Sequence, residues 1–152
     1  MFPSNNSIQI FYSYVEQDQA LVDQLDTHLS VLRRQKWVVT SYAGKAGANR
    51  MELLNQADII LLLISPNFIR SLEIYEEEVK RAMERRQKEG IIVIPVLLRP
   101  TANWKLEEFG GLQAVPRDKP VNAYSDRDVP LSVIGEEIRG IVMNIRKERG
   151  LS

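Results

Sequence analysis

Two hydrophobic runs in the middle of the chain set the terms for its fold. Ile59–Ser65 and Ile91–Leu98 are apolar at almost every consecutive position and rich in β-branched residues. A strand with one wet face alternates oily and polar residues, whereas a strand covered by helices on both faces reads as one continuous run. Both runs fall far short of the roughly 18–20 residues that a bilayer span requires. Ile8–Tyr12 and Trp37–Ser41 add two further strand-like segments. Helical stripes fill the gaps between them. Leu21, Leu25, Leu29 and Leu32 recur at i, i+4, i+8 and i+11, with Val22 widening the face. Tyr75, Val79, Ala82 and Met83 form a second stripe, and Ile134, Ile138, Ile141, Val142 and Ile145 a third. Asn49–Gln56 has room only for a short helix.

Strands alternating with helices in this way predict an open parallel α/β sheet. Right-handed crossovers leave few topologies, and five strands of this size commonly take the order 2-1-3-4-5. Lys119–Tyr124 is the candidate fifth strand, although Pro120 confines it to an edge or a strand start. The order reverses between the first and third strands, and ligands bind beyond the carboxyl ends of the strands at such a point. The loops Ser13–Asp18 and Ser65–Ser71 open there. The stretch Arg99–Lys119 lacks periodicity but carries Trp104, Leu106, Phe109 and Leu112, which are expected to pack on the surface and order it.

Composition narrows the function. At 152 residues the chain is the size of one domain, 1–152, with a single core. Without cysteine it has no disulfide, thiolate nucleophile or Cys-ligated zinc. Twenty Lys+Arg against twenty Asp+Glu argue against direct binding of nucleic acid, which normally calls for a basic face. The first residues, Met1-Phe2-Pro3-Ser4-Asn5-Asn6, do not resemble a signal peptide, so a cytoplasmic protein without membrane association is expected. Gly44-Lys45-Ala46-Gly47 lacks the rest of a P-loop, no G-x-G-x-x-G follows the first strand, and the first loop has no phosphate cradle for a flavin. A phosphoacceptor receiver would end its third strand in a carboxylate, where this chain has Ile64-Ser65-Pro66. The lone His28 has no second ligand nearby, and no metal site is expected.

What remains is the acidic cluster Glu73-Ile74-Tyr75-Glu76-Glu77-Glu78. Acidic residues in a first turn suit the positive end of a helix, which is reason enough for most of them. At about 100° per residue Glu77 points away from the apolar stripe, while Glu76 and Glu78 flank it on opposite sides. Periodicity leaves both as candidates for a partly buried carboxylate.

At this point the order of motifs resembles a bacterial-type TIR (Toll/interleukin-1 receptor) domain. Ile10-Phe11-Tyr12-Ser13-Tyr14 is similar to the family's V-F-I-S-Y box, and Ala57–Phe68 to its A-D-I-I-L-L-L-x-S-P-x-F segment. Glu78-Val79-Lys80-Arg81-Ala82 resembles E-x-K-R-A. Val93–Pro100, Phe109–Pro116 and Ser125–Asp128 follow in the family's order. The resemblance implies a flavodoxin-like three-layer fold with a five-stranded parallel sheet. It also implies cleavage of NAD+ at the nicotinamide–ribose bond, seen in many bacterial members, with the essential glutamate at Glu78 rather than Glu76. NAD+ is then a substrate, and no cofactor is needed.

Such cleavage develops oxocarbenium character on the ribose, which a nearby carboxylate stabilises. The cationic nicotinamide ring leaves as a neutral molecule, so no general acid is required. Tyr12, Tyr14 or Tyr42 could wall the ring by stacking. Ser13, Gly44, Lys45, Ser65 and Ile74 are further candidate contacts, on the loops around the site or, for Ile74, where many members carry Trp. Members of this type act in defence or cell death, are often joined to a sensor domain and are activated by self-assembly, so other TIR domains are expected partners. The loop Ser41–Asn49 is shorter than usual and lacks the family's acidic residue and P-G-x-x-W-like segment. Retention of Glu78 favours an enzyme, and the short loop favours the alternative, a non-catalytic TIR–TIR interaction module.

Overall fold

A computed structural model describes residues 6–41 and 49–151. Its centre is a parallel sheet of four strands in the order β2-β1-β3-β4: β1 (Ile8–Ser13), β2 (Val38–Ser41), β3 (Ile59–Ile64) and β4 (Ile92–Leu97). Ile10 pairs with Ile59 across β1 and β3, and Ile59 with Ile92 across β3 and β4. The order reverses between β1 and β3, as the pattern predicts.

The continuous apolar run of β3 serves two cores at once. Ile59, Leu61 and Leu63 pack with α1 (Gln19–Thr27) and α7 (Asp128–Glu148) through Leu21, Leu25, Ile134, Ile138 and Val142. Ile60, Leu62 and Ile64 face the other way, toward Leu54 of α3 (Arg50–Gln56) and toward Phe68, Val79 and Ala82. All six β3 side chains are buried. Fully burying one such side chain is worth about 1.5–3 kcal/mol, so this strand anchors the three layers. α2 (Ser30–Arg34) follows α1 and buries Leu32 in the same layer.

After β3 the chain turns under the control of two serines. Ser65 Oγ accepts from the Phe68 amide at 3.1 Å and caps α4 (Pro66–Arg70), which has Pro66 where its missing N–H costs nothing. Ser71 Oγ caps α5 (Leu72–Ile74) through the Ile74 amide at 3.2 Å. One π-helical turn, Tyr75–Val79, then joins α5 to α6 (Lys80–Glu89), and Gly90 closes α6 at φ +71°. Arg85 of α6 is buried, donating to the carbonyls of Leu54 and Ala57 at 2.7 and 2.8 Å, and so ties α6 to the end of α3.

Two expectations change here. Lys119–Tyr124 does not form a strand: Val121–Ala123 is a 3-10 turn behind Pro120, whose φ of −60° and missing donor suit a turn start. The place beside β4 is held by a single parallel bridge, Val96 to Val115. In the preceding segment Phe109 is fully buried and Trp104 and Leu112 pack against the core, as expected, but Leu106 is exposed.

Candidate active site

The carboxyl end of β1 and the π-helical turn meet over one buried acid. Ser13 is the last residue of β1 and is fully buried. Its hydroxyl donates to Glu78 Oε1 at 2.7 Å. Glu78 lies within the π-helical turn and is 4% exposed, whereas Glu76 is exposed and pairs with Lys80 one turn on. Of the two acids that periodicity left open, Glu78 is the one turned inward. Isolated π turns recur at functional sites because they redirect side chains that a regular helix would point elsewhere.

A residue that sequence reasoning did not single out completes the arrangement. Arg50, the first residue of α3, grips Glu78 with two bonds, Nε to Oε2 at 2.6 Å and Nη2 to Oε1 at 2.8 Å. Such paired, charge-assisted bonds fix both distance and plane. The same Nη2 donates to the Tyr14 carbonyl at 3.4 Å. The guanidinium lies 5.7 Å from the Tyr14 ring centroid and 5.9 Å from that of Phe11, within range of cation–π attraction. Burial works against the charge on Arg50, yet the hydrogen bonds and negative charge of Glu78 outweigh it and lift the pKa above its ordinary value.

A second polar cluster holds the neighbouring loops. Asp18, 1% exposed, accepts from Arg99 Nε at 2.7 Å and from the Ser65 hydroxyl. It thus joins the chain after β1 to the chain after β3 and β4. Neither Asp18 nor Arg99 has a sequence signal beyond being charged.

The remaining candidates divide clearly. Ser13 and Tyr14 are gathered at Glu78, with Tyr14 buried and its hydroxyl donating to Gln19 at 2.7 Å. Ile74 lies one turn before Glu78, half-buried against the adjacent core. Ser65 belongs to the Asp18 cluster and to the cap of α4. Tyr12 is not brought to Glu78: strand alternation turns it to the opposite face, where it is fully buried with its hydroxyl donating to Asp26 at 2.7 Å. Tyr42, Gly44 and Lys45 lie outside the described residues. His28 pairs with Asp128 at 2.9 Å on the surface between α1 and α7. A cavity of about 690 Å³ runs along β4, lined by Arg86, Ile92, Val93 and Glu137 among others, and touches none of these residues.

Comparison with known proteins shows the family. Residues 10–127 match the family model for the TIR domain. The chain belongs to the TIR family. It is also 39% identical over 137 residues to the uncharacterized protein y4lF of Sinorhizobium fredii (strain NBRC 101917 / NGR234). That match covers 86% of this chain and 42% of the relative, so this TIR domain spans less than half the relative's length. No described helix is long and apolar enough to cross a membrane.

Proposed function

We propose that this TIR domain cleaves NAD+ at the nicotinamide–ribose bond, with Glu78 as the catalytic carboxylate, and that it does so when copies assemble. The observation that carries this reading is a carboxylate 4% exposed at the switch point of a parallel sheet, held by a strand hydroxyl and a two-bonded arginine. A buried charge is costly and is usually retained for a reason. A negative group fixed in place beforehand is what a developing oxocarbenium ion calls for.

In the reaction the carbon–nitrogen bond breaks with its electron pair leaving on nicotinamide, which becomes neutral. Glu78 stabilises the positive ribose and accepts a hydrogen bond from a ribose hydroxyl. Water adds at the anomeric carbon and loses its proton to solvent, giving ADP-ribose; attack by an adenine nitrogen of the same molecule gives a cyclic product instead. Tyr14 is the aromatic neighbour on the nucleotide side and Ile74 an apolar neighbour for the nicotinamide ring; Tyr42, Gly44 and Lys45, which lie outside the described residues, are kept as proposed substrate contacts from the family resemblance alone. Ser13 acts on the carboxylate rather than on NAD+, and Ser65 supports the loop after β3.

The test is nicotinamide release from NAD+ across a wide protein concentration range, with and without forced clustering on a scaffold, beside Glu78→Ala and Glu76→Ala. Release should rise faster than linearly with protein, survive Glu76→Ala and vanish in Glu78→Ala. Silence of the clustered wild type would sink the enzymatic reading and leave the TIR–TIR interaction module.

A further inference from the structure

The way Glu78 is held distinguishes its two oxygens. A carboxylate offers about four acceptor positions, two on each oxygen. Oε1 takes Ser13 Oγ at 2.7 Å and Arg50 Nη2 at 2.8 Å, which fills it. Oε2 takes Arg50 Nε at 2.6 Å. Among the described residues one acceptor position is left, and it lies on Oε2. The side chain of Glu78 is 6% exposed, so little of it can be met from outside. The Arg50 side chain is more open, at 28%.

We infer that Arg50 is a positioning residue for the proposed reaction: it fixes the plane of the Glu78 carboxylate so that Oε2 presents its remaining lone pair to one ribose hydroxyl. This inference rests on the reading of Glu78 as the catalytic carboxylate. Ser13 alone, with one bond, restrains one oxygen and leaves the group free to rotate about it. The side-on pair from Arg50 removes that rotation. Arg50 is in turn held by its place at the start of α3, by the Tyr14 carbonyl and by the rings of Phe11 and Tyr14. Lysine keeps the charge but cannot make two parallel bonds in one plane.

The experiment is steady-state nicotinamide release by the assembled protein, comparing wild type, Arg50→Lys, Arg50→Ala and Glu78→Gln, with each variant's melting curve recorded to confirm a folded chain. Misplacing a reacting group by about 1 Å can cost about 100-fold in rate. Arg50→Lys should therefore lower kcat by about that factor while KM stays within about twofold. Arg50→Ala should lose as much or more and regain part of its kcat in millimolar methylguanidinium, which returns the planar pair. A rise in KM with kcat retained would assign Arg50 to substrate binding and overturn the inference. A rise in kcat would make Arg50 a cover over Glu78 and would overturn it equally. If Glu78→Gln turns over like wild type, the reading of Glu78 as the catalytic carboxylate falls, and the positioning role with it. If Glu78→Gln is dead and both Arg50 variants keep wild-type kcat, only the positioning role falls.

Discussion

Breaking the Arg50–Glu78 pair should cost very different amounts depending on which partner is removed. In Arg50→Ala the acid stays behind, 4% exposed, with Ser13 as its remaining described donor. Stranding one member of a buried ion pair costs about 3–5 kcal/mol, and partial access to solvent through the vacated arginine position argues for about 3. In Glu78→Gln the arginine stays behind, and its side chain is 28% exposed and able to turn toward water. The amide keeps the volume of the acid, so the loss is that of a charge-assisted hydrogen bond partly replaced, about 1 kcal/mol. The double variant strands nothing and should lose about 1–2 kcal/mol, which leaves a coupling energy of about 2–3 kcal/mol. Urea unfolding of the four proteins measures these differences. At about 2–4 °C per kcal/mol for a domain of this size, Arg50→Ala should melt about 6–12 °C below wild type and Glu78→Gln about 2–4 °C below. Equal losses in the two single variants, or strict additivity in the double, would show that the carboxylate is not desolvated as the geometry requires.

Tyr12 gives a pH signature. Burial, and then the negative charge and hydrogen bond of Asp26, hold its phenol protonated well above the ordinary value of 10.0. Below pH 10 both the folded and unfolded chains keep the proton and stability is unaffected; above it only the unfolded chain loses the proton, so stability falls by about 1.4 kcal/mol per pH unit until the folded phenol also ionises. Tyr12→Phe should remove that slope relative to wild type in urea melts between pH 9 and 11, and parallel slopes would refute the assignment. Gly110 and Gly111 form a matched pair. A Cβ on Gly110 would lie 2.0 Å from the Lys105 carbonyl oxygen, whereas one on Gly111 meets nothing within 4 Å. Gly110→Ala should cost at least about 1–3 kcal/mol in chemical denaturation and Gly111→Ala less than about 0.5. Arg85→Met should cost about 1–2 kcal/mol by taking the side-chain donor from the buried Ala57 carbonyl and leaving Leu54 with the Ala57 amide alone, while the exposed neighbour Arg86→Met changes little.

What the sequence makes readable follows from which forces are periodic. The run Ile59–Ile64 identifies a strand buried on both faces because burial is a per-residue property, and alternation then sends three side chains to each core. The stripes of α1 and α7 are legible for the same reason. The fifth strand is misplaced because Val121 is as buried as a strand residue would be, yet Pro120 ahead of it starts a turn and only Val115 reaches β4. Apolar content alone does not distinguish these outcomes; the donors and dihedrals of the prolines do. Glu78 and Glu76 are inseparable on a helical wheel because the wheel assumes 100° per residue, and this segment makes a π turn.

Arg50 is silent for a different reason. It lies 28 residues from Glu78, and Ser13 lies 65 residues away on another element, so no local window contains the trio. The same holds for Asp18 and Arg99, 81 residues apart. A polar side chain aimed inward has no period of its own. Its signature is an obligation: a carboxylate placed beside an apolar stripe needs a cation from some other element of the same layer. Once the strand order is known, α3 and the turn carrying Glu78 fall on the same face of the sheet and close to each other, and their leading ends lie toward the carboxyl edge, because each follows a parallel strand. Arg50 is the first residue of α3 and therefore stands at that edge. Topology first, then the pairing of buried charge, would have named it; composition and periodicity have no means to.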